Sequence, residues 1–570
     1  MSQLKAARAT PARQRRQPND SLMAAPGATA GSRFAGTFWP ALAGSGLLFA
    51  ALPPLDLWPL AWFAPIFWIR LIDRPQLAGR HPYRALWLAG MGFWIAALHW
   101  LCLPHPATAV GLVAISAYLG IYLPLFVALS RVAVHRLRWP LVLAAPVVWT
   151  GLELAQAHVG SGFNMASIAH TQYHWPAMIQ IADLAGGYGV SFVVMFVAAA
   201  LAAMLPRSDR SLRPRMLVPL VLMLSAVLGY GYWRLESGQR RPGPAIALIQ
   251  GSIDTYVKSD PGEADTVFKE YFGLSQAACR ERPKVDLLVW PETMLRQPYF
   301  EYTQDVQPPP EADWTVDRLK AAAEQSQSFV KQMARSLHVP LLLGVDAICY
   351  GAQTCERYNS AIYISPEGSI GPRYDKMHPV MFGEYVPLAK TFPWIYSLTP
   401  LQAGIECGIS TPTFPAAKAR VAANICYESV LSHVIRAQVS EQRARGEEPD
   451  VLVNLTNDGW FRGSSELDLH LVCGVLRAVE CRKPFLVAAN TGFSAWIDSS
   501  GRIVKKAGRR TTGWIVADVE LDSRRSPYLA YGDVPAGACL IACIGLAGFG
   551  FVRRGSKSED NPKYAPSNNL

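Results

Sequence analysis

Charge is scarce in this chain: Asp, Glu, Lys and Arg make up 17% of its 570 residues, against about 25% in ordinary soluble domains. With a hydrophobic share of 51%, that shortage excludes disorder over the whole length, because so apolar a chain buries itself or aggregates. Cysteine is sparse as well, ten residues in all, which excludes a disulfide-built scaffold. The net charge of +11 is not gathered on one soluble stretch; the cations punctuate apolar runs, so no nucleic-acid partner is expected. No glycine-rich phosphate loop is present, and no nucleotide is implied. No Cys/His spacing resembles a metal site: His470 and Cys473 share a helical face without evident partners. No metal and no cofactor are expected.

What the chain does contain is long apolar runs. Residues 1–33 read as a disordered basic tail, with Arg13, Arg15 and Arg16 clustered and no apolar core of a cleavable signal peptide. Residues 34–235 hold seven apolar segments: Phe38–Leu52, Leu57–Ile72, Ala85–Leu103, Ala107–Leu129, Leu141–Ala157, Val190–Leu205 and Leu217–Trp233. A spanning helix needs about 20 mostly apolar residues, and several qualify. The first two are short enough to form a helical hairpin. An eighth run fills 536–552, before a tail at 553–570. Orientation follows the cations. Arg70, Arg74, Arg80 and Arg84, then Arg131, Arg136 and Arg138, then Arg207, Arg210, Arg213 and Arg215 occupy alternate loops, while His158–Gly187 has no Lys or Arg. That alternation places both termini in the cytoplasm and residues 244–525 outside.

Residues 244–525 have the texture of a soluble α/β domain. Short β-rich runs (Ala245–Gln250, Val285–Trp290, Pro340–Val345, Ser360–Ile364, Arg420–Ile425, Val451–Leu455, Leu486–Ala489) alternate with helical stretches such as Thr315–Leu337 and Asp468–Arg482. Pro308, Pro309 and Pro310 mark a surface loop. Chemistry gathers at the carboxyl ends of strands in such sheets, and three strand ends carry reactive residues. Trp290-Pro291-Glu292 sets a carboxylate beside an apolar ring, where a raised proton affinity suits a general base. Tyr374-Asp375-Lys376, followed by Phe382-Gly383-Glu384-Tyr385, offers a fixed cation for an oxyanion. Asn424-Ile425-Cys426-Tyr427-Glu428 exposes a Cys at a strand-to-helix turn, near a helix N-terminus that favours thiolate. Each alone is more often a strand terminus, a surface pair or a core Cys.

Together, in this order, Glu292, Lys376 and Cys426 resemble the Glu-Lys-Cys triad of the carbon–nitrogen hydrolase (nitrilase) superfamily. With the apolar segments on either side, the chain from about Phe38 to Val552 resembles the membrane branch of that superfamily, the apolipoprotein N-acyltransferases. Further stretches carry the likeness: Arg357-Tyr358-Asn359-Ser360, Asn454 to Trp460 and Phe461, Ala489-Asn490-Thr491-Gly492, His170-Thr171-Gln172 and Gly187 to Phe192. One loop departs: after Gly251, Ser252-Ile253 stands where the family commonly shows Asn-Ile, and Ser259 or Asp260 where it shows a Trp. A charged stretch around 441–449 is a second departure, read as a solvated surface loop.

The resemblance implies a polytopic α-helical bundle of about eight spans carrying an α/β nitrilase-like domain, an αββα sandwich, in a bacterial inner membrane. It implies transfer of the sn-1 acyl chain of a phospholipid such as phosphatidylethanolamine, through a Cys426 thioester, to the N-terminal diacylglyceryl-cysteine amine of an apolipoprotein. Cys426 is then the nucleophile, Glu292 the base and Lys376 the oxyanion cation. Glu384, Tyr427, Glu428, Asn359 and Trp460 are the supporting or substrate-binding candidates, and a monomer is expected. Trp394 and Tyr396 are read first as core aromatics, with lipid contact as the alternative. Cys349 and Cys355 flank a candidate hairpin tip, where a disulfide is one possibility. Two other functions compete. A membrane-anchored amidase would use the same triad but leave about eight spans unexplained. A transporter would need ionisable residues deep in spans, and only Glu153 and a few His such as His99 come near.

Overall fold

A computed structural model of the chain describes residues 32–206, 214–307, 315–352, 354–399, 401 and 403–559. The expected basic tail, the arginines at 207, 210 and 213, and the proline loop at 308–310 lie outside these residues.

Among the described residues, thirteen strands form two sheets: β1 (Arg240–Gln250), β2 (Leu287–Val289), β3 (Leu295–Gln307), β4 (Leu341–Ala352), β5 (Cys355–Ile364), β6 (Ile370–Asp375), β7 (Phe414–Ala416), β8 (Ala419–Ile425), β9 (Val451–Thr456), β10 (Phe485–Ala489), β11 (Ala495–Ile497), β12 (Ile503–Lys506) and β13 (Gly513–Asp522). The first sheet runs β13-β1-β2-β4-β5-β6, with β3 also pairing β4; the second runs β12-β11-β10-β9-β8-β7. The centre of each is parallel: β1, β2 and β4 in one, β8, β9 and β10 in the other. Their inward faces, among them Ile246, Leu287 and Val289 from the first and Val421, Val453 and Leu486 from the second, form one dry core. Alternation along each strand sends the intervening residues outward. On the outside of the first sheet they meet the helices Ala264–Glu281 and Val316–Leu337. On the outside of the second they meet Ser432–Ala444 and Glu466–Cys481. The expected αββα layering is present.

The second sheet's helical layer has no solvent side. Its core continues into the N-terminal helices without a break, so that Leu452, Val475 and Val479 belong to one cluster with Ile179, Ala182 and Val194. Among the described residues, three helical stretches are long and apolar enough to cross a membrane: Thr108–Arg136, Ala182–Met204 and Pro214–Glu236. Val534–Gly550 is a shorter apolar helix. Ser32–Ala51 packs on Ala64–Asp73 and on Pro82–Ala97, and Leu141–His158 lies between Ala182–Met204 and the C-terminal helix. The helix Ala182–Met204 is broken at Gly186, whose φ of +65° suits glycine alone. A Cβ there would also meet the Tyr528 ring at 2.9 Å, so the break lets the segment before the last helix pack against it.

One cysteine expectation fails. Cys349 and Cys355 are both free, and register explains why: Cys349 lies opposite Glu356 while Cys355 lies opposite Tyr350. Positions one apart on a strand face opposite sides of the sheet, so the two thiols point away from each other.

Candidate active site

The three reactive strand ends converge where the two sheets meet. Glu292 follows β2, and its backbone is seated so closely on β4 that a Cβ on Gly344 would come within 2.7 Å of the Glu292 Cα. The carboxylate is 7% exposed and held from three sides. Its Oε1 accepts from Asn359 Nδ2 at 2.7 Å and from Lys376 Nζ at 3.4 Å, and its Oε2 accepts from the Asn457 N–H at 2.9 Å. The Trp290 ring, which sequence reasoning placed beside this carboxylate, belongs instead to the outer core, against Tyr271 at 5.1 Å, with Nε1 donating to Ser275 Oγ.

Lys376 leaves β6 and is 1% exposed. Its ammonium donates to Glu384 Oε1 at 2.8 Å, and Asn359 Nδ2 reaches the same oxygen at 3.2 Å. Glu384 Oε2 accepts the Val380 N–H at 2.7 Å, which ties this carboxylate to its own loop. Burial disfavours the charged lysine, but Glu384 first and then Glu292 outweigh it and hold the ammonium above its ordinary value. A permanent buried cation results.

Cys426 sits at the end of β8 with φ +52°, in the left-handed region; Thr293, just after Glu292, has φ +51°. Such conformations cost about 1–3 kcal/mol in non-glycine residues and persist only when the surroundings impose them. Here the carbonyl of Cys426 is pinned by Asn454 Nδ2 at 3.0 Å, Ser429 Oγ at 3.1 Å and His470 Nε2 at 3.1 Å. The thiol is only partly accessible. Burial first, then the Glu292 charge, push its pKa well above the ordinary value, and Lys376 only partly offsets them. The helical stretch begins as a single 3-10 turn, Cys426–Val430, and becomes α-helical only at Ser432; with its pKa raised, the resting residue is a neutral thiol and needs a base.

Glu428 is fully buried and braces the site. Its Oε1 accepts from the Met377 and His378 N–H groups at 2.7 and 3.1 Å; its Oε2 accepts from the Ile425 N–H at 2.6 Å and Tyr374 Oη at 2.8 Å. One side chain therefore joins the lysine loop to the cysteine strand. Tyr427 points the other way, its Oη donating to Gly162 O at 2.9 Å in the loop between two helices of the N-terminal part. His378 Nε2 is 2.8 Å from Ser161 O beside it. Trp460 does not join the cluster: it is 45% exposed on the short helix Asp458–Phe461. Trp394 is not a core aromatic either, at 63% exposed, and stands with exposed Phe382, Leu388 and Phe392 in the segment after Lys376.

Two groups escaped the sequence reading. His470 does have partners: Asp458 Oδ1 at 3.1 Å from Nδ1, and Ser429 Oγ at 2.9 Å and Cys426 O from Nε2. A carbonyl and a carboxylate both require N–H donors, so the ring is doubly protonated. Burial opposes that charge, but Asp458 and Glu466 push its pKa up to about 9. Cys473 Sγ lies 3.6 Å from His170 Nε2. The one local signal was Glu466, four residues and one helical turn before His470; Asp458 is twelve residues away on a separate short helix. Among the described residues, Asp458, Glu466 and His470 are the trio close enough to hold a metal, within 4.8 Å; with both His470 nitrogens donating, the ring offers no lone pair for one. The second group is Lys258, in the loop that departs from the family pattern. It is 9% exposed and donates to Thr293 Oγ1, so a cation reaches the site from the loop where a Trp was missing.

Residues 44–200 match the apolipoprotein N-acyltransferase N-terminal domain, and residues 245–527 match the carbon-nitrogen hydrolase family. The apolipoprotein N-acyltransferase of Rhodopirellula baltica is 30% identical over 560 residues, covering 90% of this chain and 97% of its own. That of Geobacter metallireducens is 32% identical over 525 residues, covering 90% and 94%. An amidase from Nesterenkonia sp. is a remote structural likeness, 16% identical with a TM-score of 0.36 over 53% of this chain and 97% of its own.

Proposed function

The chain belongs to the apolipoprotein N-acyltransferase family, and on that premise we propose that it moves the sn-1 acyl chain of a membrane phospholipid to the N-terminal diacylglyceryl-cysteine amine of an apolipoprotein. Glu292 takes the Cys426 proton, which burial holds on the sulfur at rest. The thiolate adds to the ester carbonyl, and the Lys376 ammonium with backbone N–H groups near Tyr427 holds the oxyanion. Collapse breaks the ester C–O bond, Glu292 returns its proton to the departing lysophospholipid alkoxide, and a thioester remains. Glu292 then takes a proton from the acceptor ammonium. The amine adds to the thioester; on collapse the C–S bond breaks, a second proton from the nitrogen passes to the departing sulfur to give the thiol, the amide is left, and Glu292 loses the first proton to solvent. Glu384 and Asn359 position Lys376 and Glu292, Glu428 fixes the two loops together, and Trp460 at the rim is left to touch substrate.

The same premise frames the architecture. Residues 34–235 and 536–552 make about eight crossings of a bacterial inner membrane, with both termini cytoplasmic and the domain 244–525 on the outer side. Phosphatidylethanolamine is the expected donor, the enzyme works as a monomer, and the exposed aromatic edge around Trp394 lies against lipid. The observation that carries this reading is the pair of hydrogen bonds from the nucleophile's own neighbour Tyr427 and from His378 to the loop at Gly162 and Ser161. A hydrolase of small soluble amides has no use for a nucleophile fastened to an apolar bundle.

The test is to incubate purified protein with phospholipid labelled in the sn-1 acyl chain and to denature it. Wild type retains hydroxylamine-labile label and Cys426→Ala retains none; unlabelled wild type would refute the thioester.

A further inference from the structure

Inside the bundle lies a cavity of about 50 Å³, lined by Ser45, Trp68, Trp94, Tyr122, Trp149 and Glu153 among others. A water needs roughly 10–15 Å³ of such space, so the cavity holds about four water-sized groups. That is too little for an acyl chain and enough for an ammonium with the two carbons behind it. Three lining atoms have no partner: Ser45 Oγ, Trp149 Nε1 and Glu153 Oε2. Ser45 is 2% and Glu153 7% exposed. The other Glu153 oxygen is engaged, accepting from Ser167 and, at 3.0 Å, from Ser191. One carboxylate oxygen is therefore left facing a space walled by indole rings.

The lining decides among occupants. A hydrocarbon segment would leave Ser45 Oγ and Glu153 Oε2 without a partner, and an anion would meet a carboxylate; the Trp149 N–H is a donor that an ammonium leaves unpaired as well. A cation finds an acceptor oxygen among indole rings, the combination that recognises ammonium groups; Trp68 and Trp149 stack on one another at 5.5 Å, so each has at most one face free for it. The location fits a substrate. Glu153 sits near the end of Leu141–His158, Gln156 Nε2 donates to Phe163 O at 3.2 Å, and the Phe163 ring packs on Trp94 at 5.8 Å. Phe163 follows Gly162, which accepts the Tyr427 hydroxyl, so the cavity lies close behind the nucleophile's anchor.

We propose that this cavity binds a primary ammonium group, held by Glu153 Oε2 against the Trp68, Trp94 and Trp149 rings. The proposal rests on the acyl-transfer reading, which supplies two carriers of that group: the ethanolamine headgroup of the donor and the free α-amine of the acceptor. Retained ligand is measured by native mass spectrometry on purified full-length Cys426→Ala protein, which does not turn over. One arm compares phosphatidylethanolamine with phosphatidylglycerol; the other compares a diacylated lipopeptide with its N-acetylated form. The expected result is a preference of about tenfold for the amine-bearing member of one pair, reduced to about onefold by Glu153→Gln; the pair that shows it identifies the carrier. No amine preference in either pair, or a preference that survives Glu153→Gln, overturns the proposal. Should Glu153→Gln not fold, Trp149→Leu reads the same question and must lower the preference severalfold. Because the Cys426→Ala protein carries out no chemistry, failure of the acyl-transfer reading appears separately, as absence of thioester label on wild type.

Discussion

The two helical layers that flank the sheets are built on opposite principles. Val316–Leu337, outside the first sheet, buries six of its 22 residues, Leu319, Ala323, Val330, Met333, Ala334 and Leu337, at the spacing of a single apolar stripe. Glu466–Cys481, outside the second sheet, buries every residue except Asp468, because sheet and bundle press on it from both sides. Charged residues follow the same division. In the outer layer Arg282 meets Asp518 with both side chains about half exposed. In the inner layer Arg477 pairs with Glu480, while Arg482 and Arg234 converge on Asp183, nearly all of it out of water. The lesson is that the catalytic domain is not tethered to the bundle: it shares a core with it, and the nucleophile rests on the shared side.

The largest effect should come from cutting the buried charge cluster. Asp183→Ala leaves two guanidinium groups uncompensated in the shared layer, and loss of about 3–5 kcal/mol is expected. Asp518→Ala in the outer layer should cost no more than about 0.5 kcal/mol. Thermal unfolding of the two purified variants measures the contrast, and equal shifts would erase the distinction between the layers.

A smaller effect follows from His470, whose folded-state pKa of about 9 lies above the unfolded value near 6.5. A raised pKa means the folded state holds the proton more tightly. Its contribution, on the order of 3 kcal/mol, is therefore complete below about pH 6.5 and lost as pH rises through about 9. Stability measured across that window should fall in wild type and stay flat in His470→Gln, whereas parallel curves would remove the imidazolium from the account. Below the His470 effect, though above the outer-layer control at Asp518, comes Tyr427→Phe. Losing the bond to Gly162 O should cost about 1 kcal/mol, read as a shift in unfolding midpoint at unchanged fold.

The inner strands were legible because each is a short, mainly apolar run that ends within three residues of a reactive or polar one: Val289 before Glu292, Ile425 before Cys426, Leu455 before Asn457. β3 was not, since Leu295–Gln307 exposes most of its side chains and shows no alternation to read. Asp468–Arg482 reads as helical from its own sequence, but nothing local in it announces that Arg477 and Glu480 pair in a dry layer. Partners 299 residues apart, as Arg482 and Asp183 are, leave no mark on sequence spacing. The site divides the same way. Glu292, Lys376 and Cys426 each stand in a local motif, while the brace through Glu428, the hydroxyl of Tyr427 on Gly162 and the His470 clamp on the Cys426 carbonyl exist only once the strands are side by side. Trp460 shows the reverse: its motif matched, yet its ring lies at the surface, away from the polar cluster.

The most direct test is the fate of the acyl group once it has left the lipid. Labelled acyl-enzyme, freed of donor, is mixed with a diacylated lipopeptide, and label is followed into amide and into free fatty acid. The account predicts that most label appears as triacylated lipopeptide, and that N-acetylating the acceptor amine leaves the thioester intact. Release chiefly as free fatty acid, at a rate the lipopeptide does not change, would contradict it and make this protein a hydrolase.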